Sequence, residues 1–379
     1  MTGRQKILAA MGEQGAASTP VVLCYPEIFM RDCWERITDV PWWGMYSQDI
    51  AMALQAHRDL LAVTGEDRVR LWMSPTRAGR KRYRIEGIDA SRARRIDART
   101  GEVEELLRPP PGGFLSPHDR RMFETREISS REQIDELLPL PAAETPESLA
   151  ADGRSDKPRA MLGEFGRDKM PWTQLPSPFD PLTHVWGFEG LMMAFATTPD
   201  LVAYACGRVV ECTKRRIQTW KAADVELIWL EEGMSDQVSP DQYRRLVLPH
   251  LQETTAAIRE ADMKSIYYYT GNPNDRFDVF LASGADALAL EESRKNFVID
   301  IQQVARKVDG RMALVGNLDE VTVLEPGPPE AIRAEVTRQL EAGRRNAGRF
   351  LMGIGGPVTP NTPIDHVRLI AETVHDLAP

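Results

Sequence analysis

The chain has 379 residues, 42% of them hydrophobic, with 47 Lys and Arg against 56 Asp and Glu and a formal net charge of −9. That apolar fraction excludes an intrinsically disordered chain, and the acidic balance disfavours a nucleic acid or an anionic membrane surface as the main partner. No run reaches the roughly 18 consecutive apolar residues of a membrane span, and the opening MTGRQKILAAMGEQGAASTP lacks the apolar core of a secretory signal. The four cysteines, Cys24, Cys33, Cys206 and Cys212, form no C-x-x-C and no zinc-knuckle spacing. Buried thiols in a reducing cytoplasm are the expectation.

Short apolar runs alternate with longer amphipathic stretches from end to end. PVVLC (20–24) is the first strand candidate, followed by a helix over 47–65 with Gly65 as its stop. DRVRLWM (67–73) reads as a second strand. Over 79–107 the alternation and the RTGE turn predict a small antiparallel β-hairpin insertion, ended by RPPPGG (108–113). The polar stretch 139–157 reads as a surface loop, and PRAMLGEF (158–165) as a third strand. One or two helices fill 186–222. Strand VELIWL (225–230) then precedes a helix over 240–261, with Ser239 as cap and Pro240 in the first turn. KSIYYYT (264–270), DALAL (286–290), RMALVG (311–316) and RFLMGI (349–354) complete the strands, each followed by a helix.

Strands alternating with helices in this way predict a single α/β (β/α)8 barrel over 1–379 with an N-terminal extension. An open doubly wound sheet is the other fold to consider. Neither a G-x-G-x-x-G after an early strand nor a Walker loop supports it.

In such a barrel the chemistry sits where strands end and loops begin. The first strand is followed by Tyr25, Glu27 and Arg31, the third by Glu164, the fourth by Glu231 and Glu232. The fifth delivers Tyr268, Tyr269 and Asn272, the sixth Glu291 and Glu292, the seventh Asn317 and Asp319, and the eighth the glycines Gly355 and Gly356. Carboxylates crowded in a partly dry cleft raise one another's pKa, so one can serve as general acid while another stays ionised. The alternative reading of any one of these acids is that it caps a helix or faces solvent. Among Tyr267, Tyr268 and Tyr269, strand alternation sends Tyr268 to one face and its neighbours to the other. The GIGG loop either binds an anion through its backbone N–H groups or only permits a tight turn.

Five segments, VSPDQYRRLVLPHL (238–251), YTGN (269–272), GADALALEES (284–293), VGNLDEVTVLEPG (315–327) and GPVTPNTPIDHV (356–367), occur in an order that resembles the uroporphyrinogen decarboxylase superfamily. The resemblance is best over 184–379. It implies the barrel fold, and an enzyme of a group that holds both the haem-pathway decarboxylase and corrinoid-linked methyltransferases and demethylases. In the methyltransferase branch a His-x-Cys-Gly zinc motif ends the fifth strand. Here the matching positions are Tyr268 and Thr270, with Ile354 in place of the third ligand, so the motif provides no zinc site. The decarboxylase's N-terminal arginine motif is reduced to Arg31, and the last loop has no histidine. A hard cation on carboxylates such as Glu231 and Asp319 stays open.

The resemblance therefore implies methyl transfer from a small methylated substrate of the aryl-ether type to a corrinoid carried by a separate protein. Glu231, Glu232, Tyr268 and Asp319 are the expected catalytic residues. Tyr25, Glu27, Arg31, Glu164, Tyr269, Asn272, Glu291, Asn317, Gly355 and Gly356 are expected to bind substrate. The alternative is a decarboxylase or related lyase gripping a carboxylated substrate with Arg31, Arg294 and Lys295, and a catalytically silent binding protein is a third reading.

Overall fold

The structure, a computed structural model, describes residues 1–112, 124–293 and 296–378. Among these, seven parallel strands form one curled sheet: β1 (Arg68–Arg70), β5 (Met170–Pro176), β6 (Leu227–Glu232), β7 (Lys264–Tyr269), β8 (Ala287–Leu290), β9 (Ala313–Val315) and β10 (Phe350–Leu351). They are hydrogen-bonded in that order. The segment 20–24 fills the gap between the two edges. The Val22 N–H donates to the Met352 carbonyl and the Met352 N–H to the Pro20 carbonyl, while on the other side the Asp67 N–H donates to the Val21 carbonyl, each at 2.8 Å. The ring thus closes into an α/β barrel, and closure removes both sheet edges. The core strands read as apolar runs, such as Leu227-Ile228-Trp229-Leu230, because helices cover one face and the barrel interior the other.

The third strand lies elsewhere than the sequence suggests. PRAMLGEF belongs to the helix Asp156–Phe165, whose buried residues Pro158 and Met161 are three apart, a helical spacing. The strand is β5, MPWTQLP, and it carries Pro171 and Pro176, residues that argue against a central strand because proline cannot donate to a ladder. Both prolines still contribute a carbonyl or a register position. The Glu226 N–H, for example, donates to the Pro171 carbonyl at 3.0 Å. Likewise the stretch 139–157 is not all loop, since Pro146–Asp152 is a helix with Thr145 and Ser148 in a capping box. The helix expected over 240–261 is broken at Val247 into Pro240–Leu246 and Leu248–Glu260, with Pro249 in the first turn of the second.

The insertion after β1 is a three-stranded antiparallel sheet rather than a lone hairpin: β2 (Tyr83–Gly87), β3 (Arg92–Asp97) and β4 (Val103–Leu107). The predicted turn joins β3 to β4, where Gly101 takes a φ of 76°. No helix of the described residues is long and apolar enough to cross a membrane.

Candidate functional site

Strand alternation sorts the residues at the barrel's C-terminal end into two sets. Trp229 pairs in register with Ile266 and Glu231 with Tyr268. Trp229, Glu231 and Tyr268 face the barrel axis, while Glu232, Tyr267 and Tyr269 face the surrounding helices. The Trp229 and Tyr268 rings lie 5.1 Å apart. Ala287 and Ala289 of β8, beside Ile266 and Tyr268, leave room for these large rings. Deeper in the barrel, the fully buried Arg68 pairs with Glu66 and donates to the Leu23 carbonyl. Its guanidinium stacks 3.8 Å above Trp172 and 4.8 Å from Trp229. The interior is packed, so reactants meet the barrel only at its mouth.

At the mouth, the Tyr25 hydroxyl makes a very short hydrogen bond to the Glu231 carboxylate. Tyr25 reaches it from a left-handed backbone conformation, φ 48°, at the start of the helix Pro26–Asp32. Such a conformation is unfavourable for a non-glycine residue and recurs at functional sites. The Tyr25 ring meets Tyr268 edge-on at 5.9 Å. The Tyr268 hydroxyl donates to the Gly355 carbonyl at 2.8 Å and is hydrogen-bonded to the buried Cys24 thiol. Arg70 binds Glu27 at 2.9 Å, and its charge also favours the ionised form of Glu231.

One functional candidate was absent from the sequence reading. Asp180 follows the true third strand, in PSPFD, and is partly exposed at the mouth. Burial raises its pKa to about 7, helped by the negative charges of Glu231 and Glu232 and opposed by a hydrogen bond from the Gly233 N–H. Glu231 is also raised by burial, against the Tyr25 hydroxyl and Arg70, which pull it down. Burial lifts the Tyr25 and Tyr268 phenols well above their ordinary range, so both are neutral hydrogen-bond donors. The mouth thus holds a carboxyl that titrates near neutrality beside a second carboxyl and two phenols. Placing the third strand at 170–176 would have found it, because Asp180 is the first acid after that strand.

Several expected residues stand apart from this cluster. Glu164 lies on the outer helix Asp156–Phe165, hydrogen-bonded to Arg58 at 2.8 Å, because the segment that carries it is a helix and not the third strand. Glu232 and Tyr269 are buried against the helix layer, where the Glu232 carboxylate accepts from Tyr243 at 2.7 Å and the Tyr269 ring packs 4.9 Å from Phe280. Asp319 caps the turn Glu320–Leu324 by accepting from the N–H groups of Val321 and Thr322. Asn317 is buried and donates to the carbonyls of Glu291 and Ile299, both at 3.0 Å, which fixes a loop rather than a ligand. Asn272 braces its own turn by accepting from the Asn274 N–H at 3.1 Å. Glu291 accepts the Gly271 N–H at 2.8 Å, tying the loops after β7 and β8 together. Glu27 and Arg31 line a cavity beside the mouth, where Arg31 pairs with Asp32 at 2.7 Å. Arg294 and Lys295 lie outside the described residues.

The glycine loop is a packing device. The Gly355 N–H donates to the Leu318 carbonyl at 3.1 Å, and Gly356 is buried in the same bend. A Cβ on Gly355 would stand 2.3 Å from the Glu292 nitrogen and 2.9 Å from the Glu291 carbonyl carbon. With backbone and a carboxylate already in that space, an anion is poorly placed there. Gly355→Ala is therefore expected to lower the thermal midpoint by several degrees through backbone displacement, costing roughly 1–3 kcal/mol. A differential scanning measurement on the purified variant checks this, and an unchanged midpoint would show the loop to be slack. Among the described residues, no group of three or more His, Cys, Asp or Glu side chains is arranged to hold a metal ion.

A closed α/β barrel with an acidic, phenolic mouth is the class defined by these features. The family profile described as "Uroporphyrinogen decarboxylase (URO-D)" matches residues 172–377, and the chain belongs to that family. The match begins within β5 and takes in every later strand. Uroporphyrinogen decarboxylase from Xanthomonas axonopodis pv. citri (strain 306) is 29% identical over 195 residues, 49% of this chain and 52% of that protein. The enzyme from Carboxydothermus hydrogenoformans is 25% identical over 173 residues, covering 45% and 47% respectively. The chain spans about half the length of the curated relatives it matches. A methyltransferase from Methanosarcina mazei shares the fold over the full length of both chains, with a TM-score of 0.67 at 17% identity.

Proposed function

We propose that the chain is a methyltransferase of the uroporphyrinogen decarboxylase superfamily that demethylates a small aryl-ether-type substrate. The observation that carries this reading is Asp180, a mouth carboxyl titrating at about 7 beside the Tyr25–Glu231 pair. An ether oxygen is a poor leaving group unless a proton reaches it as the carbon–oxygen bond breaks. In this reading the Asp180 carboxyl gives its proton to the ether oxygen, the methyl carbon passes to a nucleophile, and the phenol departs neutral. Asp180 is left as a carboxylate and recovers a proton from water at the mouth. Glu231, whose carboxylate form is favoured by the Tyr25 hydroxyl and Arg70, favours the positive charge that develops on the oxygen and methyl group. Tyr268, fixed by the Gly355 carbonyl, flanks the methyl ether itself from the axial side.

The methyl acceptor is a corrinoid on a separate protein, whose reduced cobalt supplies the nucleophile. The donor set at the mouth fits this division of labour, because the chain's own contribution is binding and a proton. The test is formation of methylcobalamin from cob(I)alamin and a panel of aryl methyl ethers, followed spectrally. Wild type should turn over, and Tyr268→Phe should do so at least about tenfold more slowly, with only the modest loss of thermal midpoint that an unpaired Gly355 carbonyl brings. Absence of any spectral change with every ether would abandon the reading.

The alternative, a decarboxylase or related lyase, has one observation in its favour. The curated relatives at 25–29% identity are decarboxylases, and a proton donor such as Asp180 also suits protonation of the carbon that loses carbon dioxide. Carbon dioxide release from a carboxylated substrate without corrinoid would select it.

A further inference from the structure

Beside the acidic mouth lies a cavity of about 420 Å³, within the range of roughly 300–1,000 Å³ typical of small-molecule sites. It is bounded by the helices Pro26–Asp32 and Ile50–Thr64 and by the chain just beyond β1. Its character is opposite to that of the mouth. Trp34, Trp72, Met30, Met45, Met52 and Met73 form apolar walls that suit a flat ring. Glu27, on the side nearest the mouth, is neutralised by Arg70 at 2.9 Å, and Arg31 by Asp32 at 2.7 Å.

Ser47, Gln48, His57 and Lys157 are the remaining polar residues of the lining. His57 is hydrogen-bonded through Nδ1 to the Ala53 carbonyl at 2.8 Å, and burial lowers its pKa to about 4. The ring is therefore neutral, with Nδ1 as donor and Nε2 as an acceptor. Lys157 places its ammonium 5.2 Å from the Trp72 ring centre, and among the described residues it has no carboxylate partner. Burial lowers its pKa below the usual lysine range, so pairing with an anion would restore solvation that the fold removes.

We propose that this cavity is a binding site for the anionic, aromatic part of the substrate, an aromatic monocarboxylate whose ring lies between the tryptophan and methionine walls and whose carboxylate pairs with Lys157. One cation without a carboxylate partner among the described residues suits one negative charge, whereas a phosphate dianion would call for a second. The arrangement also resolves how an acidic mouth accepts an acidic substrate. Neither Asp180 nor Glu231 lines the cavity, so a carboxylate held by Lys157 is kept apart from the acids of the mouth. The identification of the ligand as substrate rests on the methyl-transfer reading, but the site itself does not.

The test is quenching of tryptophan fluorescence in the full chain, without corrinoid, by 3-methoxybenzoate, 3-methoxybenzamide and cyclohexanecarboxylate. Wild type should bind the aromatic carboxylate about tenfold or more tightly than the isosteric amide, and more tightly than the non-aromatic acid. Lys157→Met should abolish the preference for carboxylate over amide while leaving the thermal midpoint and amide binding intact. Lys157→Arg should retain it, and Ala53→Phe, which fills the cavity, should weaken both aromatic ligands. Equal binding of carboxylate and amide by wild type, or a preference that survives Lys157→Met, would overturn the proposal. Retention of the preference in a protein that forms no methylcobalamin would uphold the site and remove only the methyltransferase reading.

Discussion

Asp180→Asn is expected to lower kcat by roughly 10²–10⁴-fold, the range for loss of a positioned general acid. The amide keeps the size and the contact with the Gly233 N–H but has no proton to give at neutral pH. In wild type the acid form must be present for turnover, so kcat is full below about pH 6 and falls as pH rises through the pKa of about 7. The variant's residual rate should show no such limb. Stability supplies an independent reading of the same group. Its folded pKa is raised above the ordinary value of 3.8, so its contribution is fully present below that value and lost as pH rises through about 7. Asp180→Asn should accordingly be more stable than wild type at pH 8 and no more stable at pH 4, measured by denaturant unfolding at the two pH values. A variant that keeps wild-type kcat and its alkaline limb would remove Asp180 from the chemistry and leave Glu231 as the remaining mouth carboxyl.

The barrel was legible in the sequence because the strand–helix rhythm from 225 onward is regular and each core strand is a run of apolar residues. Its one misplaced strand shows what pattern reading cannot see. A short apolar run in PRAMLGEF has the length of a strand, and nothing local reveals that it packs as a helix, whereas MPWTQLP hides a strand between two prolines. That single shift cost the site Asp180 and lent it Glu164. Within correctly placed strands, the alternation rule separated Tyr268 from Tyr267 and Tyr269, but it could not say which set faced the axis. The packing of Trp229, Tyr268 and the two small alanines of β8 decides that. Loop residues were the least legible. Asp319, Asn317 and Asn272 occupy strand ends as expected, yet their side chains are spent on backbone N–H and carbonyl groups. Asx caps and turns are common at exactly the positions where a barrel also keeps its chemistry, and sequence carries no mark that distinguishes the two uses.

Glu232 makes the distinction measurable. It follows Glu231 directly, but its carboxylate is fully buried in the helix layer, accepting from Tyr243 at 2.7 Å and from Ser235, with the Tyr243 and Tyr267 hydroxyls 3.0 Å apart. Glu232→Ala would strand these hydroxyls in an apolar layer and leave a void, at an expected cost of roughly 3–5 kcal/mol. Glu232→Gln keeps an acceptor for Tyr243 and should cost less. Replacing the whole network, Glu232→Leu with Tyr243→Phe and Tyr267→Phe, should recover much of the loss in Glu232→Ala, because no polar group is then left without a partner. Denaturant midpoints of the variants give this order directly. Turnover separates structure from catalysis. The negative charge of Glu232 helps to raise Asp180, so Glu232→Gln should move the alkaline limb of kcat to lower pH while leaving the plateau rate below it near wild type. A folded Glu232→Gln protein whose plateau collapses at every pH would place Glu232 in the reaction after all. A shifted limb with an intact plateau assigns it the role its position implies: an acid facing away from the substrate that acts on the reaction only through the field it exerts on Asp180.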